Sequence, residues 1–148
     1  MVLVEASDKQ FTDLTSTYSK YQNLTLVNKL VTVDGKDVTF YEGGAGYTNS
    51  VVKKVIEYWE NEPITATERT SIKFTSLITP DTNWIHLDVE GIDDQLLMSL
   101  DDATFTHIDL IIYEYNNLSG MEREVIKDFL VSKGYKHYQE GGIGLAEK

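Results

Sequence analysis

The chain has 148 residues, of which 41% are hydrophobic, with a formal net charge of −11 and no cysteine. This length supports one domain with a hydrophobic core, and the lack of cysteine excludes disulfides, thiolate nucleophiles and cysteine-ligated metals. The acidic balance repels phosphates and anionic lipids, so we expect neither nucleic acid nor a membrane as a partner. Without an apolar run of roughly 20 residues or a leader-like start, we expect a soluble cytoplasmic protein.

The first third of the chain is predicted to begin as strand, helix, strand. Val2-Leu3-Val4 is a short apolar run typical of a strand, and Ser7 or Asp8 is predicted to cap the following helix. A second strand is predicted over 24–33, and Asp34-Gly35 before the alternating residues 37–41 predicts a β-hairpin. The helix carries one apolar stripe, interpreted as core packing: Phe11, Leu14, Tyr18 and Tyr21.

A glycine-rich loop, a helix and a strand are predicted next. The predicted loop contains Gly43, Gly44 and Gly46, and we interpret it as a connecting loop in preference to one that closes over a ligand. It is not a phosphate-binding loop of the Walker type, because no Gly-Lys-Ser/Thr follows. Asn49 or Ser50 is predicted to cap a helix that ends before Pro63. A strand is then predicted over 71–77.

The most informative stretch lies in the second half. Trp84–Leu87 reads as a buried strand, Asp88-Val89-Glu90-Gly91 follows at once, and a helix is predicted from Asp93. In open α/β sheets, ligands bind beyond the carboxyl ends of the strands. The acids are therefore candidate site residues, although they would also fit a strand end that faces solvent, with Gly91 only making the turn.

The remaining elements continue the alternation of strands and helices. The nearly continuous apolar run over 107–115 predicts a strand covered on both faces that ends at Glu114. Ser119 and Glu122 form a predicted capping box, Gly134 ends that helix, and two short strands are predicted over 136–147. This order predicts an α/β fold with a mostly parallel sheet and an antiparallel C-terminal edge.

Five segments, in this order, resemble the later two-thirds of FkbM-type methyltransferases, a branch of the S-adenosylmethionine-dependent class. They are Val4-Glu5, Asn23–Asn28, Asp34–Tyr41, Asp88–Gly91 and Tyr113-Glu114-Tyr115. The resemblance implies a Rossmann-like methyltransferase fold, N-terminally truncated, with residues 1–148 as a single domain that lacks the first β-α unit. We then expect the acids at positions 5, 88 and 114 along one rim of a parallel sheet.

The resemblance also implies a cofactor site for S-adenosylmethionine. Glu5 matches the acid that holds the two ribose hydroxyls, and Lys29 and Leu30 match positions that border the adenine. Asp88 matches an acid beside the methyl donor.

The implied reaction is O-methylation of a small molecule or sugar. Asp88 and Glu90 match the catalytic acids, with Asp88 as candidate general base, which must lie within hydrogen-bond reach of the acceptor hydroxyl. Glu114 and His86 would contact the acceptor, and His86 is also a weaker second candidate for the general base. With no histidine pair at metal-ligand spacing, we expect no metal requirement.

The family's glycine-rich turn would precede its ribose acid by about 20 residues, yet the matching acid here is residue 5. Three interpretations remain open: a fragment of a longer methyltransferase, a non-catalytic binding or oligomerising remnant, or an enzyme whose pocket is completed by another copy. Because missing elements leave strand edges open, we expect a homo-oligomer.

Overall fold

The computed structural model describes residues 1–44 and 48–148. The chain separates into two compact units, Met1–Leu77 and Ile78–Lys148, which are described one at a time. Gly46 of the predicted glycine-rich loop lies outside the described residues. Within those residues, no helix is both long and apolar enough to cross a membrane.

The first unit contains three small sheets. One is a parallel pair of β1 and β2, another is a parallel pair of β3 and β7, and the third is antiparallel in the order β5-β4-β6. The strands are β1 (Val2–Glu5), β2 (Thr25–Asn28), β3 (Leu30–Thr32), β4 (Val38–Glu42), β5 (Asn49–Ser50), β6 (Thr65–Arg69) and β7 (Ser71–Lys73). The helices are α1 (Asp8–Tyr18), α2 (Lys53–Trp59) and a single 3-10 turn (Phe74–Ser76).

Several predictions for the first unit are corrected. The strand predicted over 24–33 divides at Lys29, because β2 pairs with β1 whereas β3 pairs with β7. The predicted hairpin at Asp34-Gly35 is wrong, since β3 and β4 belong to different sheets. Ser7 precedes α1 as predicted, but its side chain makes no capping hydrogen bond, and no residue of α1 is buried.

The second unit is built on one four-stranded sheet in the order β10-β11-β9-β8. β8 and β9 are parallel, and the C-terminal strands add antiparallel pairs, as predicted for that edge. The strands are β8 (Trp84–Leu87), β9 (Leu110–Glu114), β10 (Lys136–Glu140) and β11 (Ile143–Glu147). The helices are α3 (Asp93–Met98), α4 (Asp102–Phe105) and α5 (Gly120–Ser132).

Apolar side chains form a tight core in this unit. Ile85 and Leu87 are buried, whereas Trp84 and His86 are exposed, so β8 is covered on one face and not on both. The side chains without solvent exposure come from α3, β9, α5 and β11 and the turn before β9: Leu96, Leu97, Ile108, Ile111, Tyr113, Ile126, Leu130 and Ala146.

The predicted fold class is wrong. The described residues form four small sheets, mostly antiparallel or two-stranded, and no continuous parallel Rossmann-like sheet. An apolar run indicates a strand but does not say which strand it pairs with. Here β1, which ends at Glu5, belongs to a different sheet from β8 and β9. No single sheet rim therefore carries Glu5 together with Asp88 and Glu114.

The capping box at the start of α5 is confirmed and gives a direct stability prediction. Ser119 Oγ accepts the Glu122 amide at 3.3 Å, and the Glu122 carboxylate accepts the Ser119 amide at 2.7 Å. Ser119→Ala should lower the free energy of unfolding by about 1 kcal/mol. Urea unfolding followed by circular dichroism measures this, and no change would mean that the cap does not stabilise α5.

Candidate functional site

Three carboxylates meet at the carboxyl ends of β8 and β9 in the second unit. Asp88, Glu90 and Glu114 each offer an oxygen, and these atoms all lie within 4.8 Å of one another. β8 ends at Leu87 and β9 at Glu114, and their parallel pairing brings the two strand ends to one edge. We call these three residues the carboxylate cluster.

The turn after β8 holds Glu90 in an unusual backbone conformation. Glu90 has a φ of +57°, in the left-handed region that non-glycine residues rarely adopt, and Gly91 follows at +106°. The Asn117 side-chain amide donates to Glu90 Oε2 at 2.5 Å and to Glu114 Oε2 at 3.0 Å. One amide therefore fixes two members of the cluster relative to each other.

Asp93 adds a fourth acid to this edge. It begins α3 and has no solvent exposure. One carboxylate oxygen accepts the backbone N–H of Glu114 at 3.3 Å, while Oδ2 has no hydrogen-bond partner in the described part of the chain. A buried polar atom without a partner is uncommon in folded proteins and calls for an explanation.

Burial and nearby like charges raise the pKa values of Glu90, Asp93 and Glu114. Burial, followed by the charges of Glu114 and Asp88, raises the pKa of Glu90 to about 7. Burial also raises the pKa of Asp93 to about 7, against the lowering effect of the hydrogen bond from the Glu114 amide. The pKa of Glu114 is raised by burial and by Asp88. Carboxylates with pKa values near neutrality are suited to proton transfer or to neutralisation by a cation.

A polar groove of about 220 Å³ lies at the carboxyl ends of β1 and β2 in the first unit. Ala6 and Asp8 follow β1, and Asn28 to Leu30 end or follow β2, so the groove borders both strand ends. The lining residues are Ala6, Asp8, Asn28, Lys29, Leu30, Arg69 and Thr70.

The groove is held by hydrogen bonds between distant parts of the unit. Asp8 accepts from Asn28 Nδ2 at 2.7 Å and from Arg69 Nη1 at 2.9 Å, and these bonds lower the pKa of Asp8. Arg69 also reaches Glu42 at 3.3 Å, and Lys29 Nζ donates to Thr70 Oγ1 at 3.2 Å.

The residues predicted for the site are divided between these two places. Lys29 and Leu30 line the groove. Glu5 is one residue before it, and its Oε1 accepts the Ser7 amide at 2.7 Å. Asp88, Glu90 and Glu114 come together in the cluster, whereas His86 is on the exposed face of β8 and is not a member of the cluster.

Sequence reasoning missed four side chains that shape these places. Asn117 and Asp93 hold or border the cluster, and Asp8 and Arg69 hold the groove. In the sequence, Asp8 and Asp93 each stand at the start of a predicted helix. Short acidic side chains are common there because they stabilise the helix N-terminus, so the sequence indicates no further role for them. Nothing in the sequence pairs Arg69 with Asp8.

No family model, curated protein or solved structure matches this chain.

Proposed function

We propose that the chain binds S-adenosylmethionine and acts as an O-methyltransferase on a small-molecule acceptor. The observation that carries the proposal is the groove of the first unit, at the carboxyl ends of two parallel strands joined through a helix. Nucleotide cofactors bind at such strand ends in α/β proteins. The resemblance to FkbM-type methyltransferases is the reason for proposing S-adenosylmethionine and not another nucleotide cofactor.

The lining of the groove fits the adenosine part of this cofactor. Leu30 borders the groove at the proposed adenine position, and Lys29 and Asn28 offer donors for the adenine ring nitrogens. Glu5, oriented by the Ser7 amide, is the proposed partner of the ribose hydroxyls. Pockets for complete drug-sized ligands have volumes of about 300–1,000 Å³, so a groove of about 220 Å³ would enclose only part of the cofactor.

The resemblance alone assigns the general base, and it keeps Asp88 as the proposed one. When bound, the cofactor supplies an electrophilic methyl group, and the acceptor hydroxyl must lose its proton. Asp88 is exposed and can be reached by an acceptor, and Glu90, whose pKa is raised to about 7, is suited to exchange a proton near neutral pH. Glu114, and His86 on the exposed face of β8, remain the proposed acceptor contacts.

Calorimetric titration with S-adenosylhomocysteine, the product form of the cofactor, tests the proposal. We expect saturable heat from the full chain and roughly tenfold weaker binding for Lys29→Ala, because a charged hydrogen-bond donor is lost. The control is Lys54→Ala, which removes another exposed lysine outside the groove. No heat at millimolar ligand, or equal weakening by both variants, would contradict the proposal.

A non-catalytic binding or oligomerising domain is the second candidate. The division into small sheets favours it, because short sheets leave strand edges that pair with other chains. β10 forms one edge of the four-stranded sheet and is largely exposed. A homo-oligomer by light scattering that gives no heat with S-adenosylhomocysteine would favour this candidate over the methyltransferase.

A further inference from the structure

The carboxylate cluster has the donor set of a site for a hard cation. Asp88, Glu90 and Glu114 supply oxygen only, with no histidine or cysteine among them. Oxygen ligands select Ca²⁺, Mg²⁺ or Mn²⁺ over softer metals. The members come from a strand end, a turn and a neighbouring strand end, and the Asn117 amide holds two of them in place.

Asp93 provides an observation independent of the cluster. Its carboxylate is completely buried against Glu114, whose backbone N–H it accepts, and its second oxygen has no hydrogen-bond partner within residues 1–44 and 48–148. Neither Asp93, Asp88 nor Glu114 takes part in an ion pair in that part of the chain. A cation at this edge would offset the charge of a buried acid that no side chain neutralises.

We propose that the carboxylate cluster binds one divalent cation of the size of Ca²⁺, with Asp93 as a buried outer acid that strengthens the site. Ca²⁺ takes oxygens at about 2.3–2.6 Å, so it joins ligands on opposite sides that are about 4.6–5.2 Å apart. For Mg²⁺ that separation is only about 4.0–4.2 Å. The oxygens of the cluster all lie within 4.8 Å of one another, a limit that both ions satisfy. The choice of Ca²⁺ therefore depends on its tolerance of irregular oxygen geometry, whereas Mg²⁺ requires a near-ideal octahedron and keeps several waters.

The ion would fix the turn that carries Glu90 to the end of β9. Three carboxylates repel one another when the site is empty, and a dication replaces that repulsion by attraction. The site shares its three carboxylates with the proposed methyl transfer, but its test needs neither cofactor nor acceptor, so failure of one proposal is distinguishable from failure of the other.

Calorimetry of the chelator-treated full chain with CaCl₂ tests this proposal. We expect one saturable site, and at least tenfold weaker binding for Asp88→Asn and for Glu114→Gln. Asp128→Asn is the matched control, because it removes one exposed acid of α5 and the same charge. These neutral variants relieve repulsion, so their thermal unfolding without Ca²⁺ should occur at or above the wild-type temperature, which checks that they fold.

Two outcomes would overturn the proposal. One is the absence of saturable heat at millimolar CaCl₂. The other is equal weakening by Asp88→Asn and Asp128→Asn, which would show general attraction of counterions to an acidic protein. Asp93→Asn should weaken Ca²⁺ binding less than either ligand variant, and a larger loss would assign the ion to Asp93 itself.

Discussion

Asp93→Asn is expected to raise the free energy of unfolding at pH 8 by roughly 2–4 kcal/mol, an unusual gain for one substitution. At that pH the folded protein holds a buried, ionised Asp93, whose pKa is raised by burial to about 7. The amide has nearly the same shape, keeps an oxygen for the Glu114 N–H, and carries no charge. Urea unfolding of both proteins in chelator-containing buffer measures the difference.

The Asp93 carboxyl group also makes the free energy of unfolding depend on pH. Its pKa is higher in the folded protein than the ordinary value of 3.8, so the folded state binds more protons between about pH 4 and pH 7. The contribution of Asp93 to stability should therefore fall as pH rises through this window, with Glu90 acting in the same direction and His137, whose pKa is lowered by burial, acting in the opposite one. Asp93→Asn should remove this contribution, and a stability difference between wild type and variant that does not change from pH 5 to pH 8 would contradict the assignment.

Ile126→Ala is expected to lower the free energy of unfolding by about 3 kcal/mol. Ile126 has no solvent exposure within the core beside α5, and truncation leaves a cavity that the packed neighbours fill only in part. Denaturant unfolding at pH 7 measures the loss.

The neighbouring residue supplies the control for that substitution. Val125 is 46% exposed, so Val125→Ala should lower the free energy of unfolding by less than about 0.5 kcal/mol. Equal losses in the two variants would mean that α5 packs with a different face from the one described.

The second unit could be predicted largely from local signals. The Ser119 capping box, the αL residue Gly134 and the turn after β8 each depend on a few neighbouring residues, and all three are present. The convergence of Asp88 with Glu114 also followed from the rule that parallel strands end at one edge.

The first unit could not be predicted in the same way. The partners of β2 and β3 are decided by contacts between distant residues, such as the pairing of Leu30 with Ser71. The bond between Arg69 and Asp8 joins residues 61 positions apart and leaves no local pattern in the sequence. For the same reason, the burial of Asp93 follows from packing and could not be inferred from its place at a helix start.

Nuclear magnetic resonance can map whether the groove of the first unit binds the cofactor. We expect S-adenosylhomocysteine to shift the amide signals of Ala6, Lys29, Leu30 and Thr70, which surround the groove. Saturating shifts at these positions would place the nucleoside at the ends of β1 and β2. Unchanged signals there at millimolar ligand would contradict the cofactor site and the methyltransferase proposal with it.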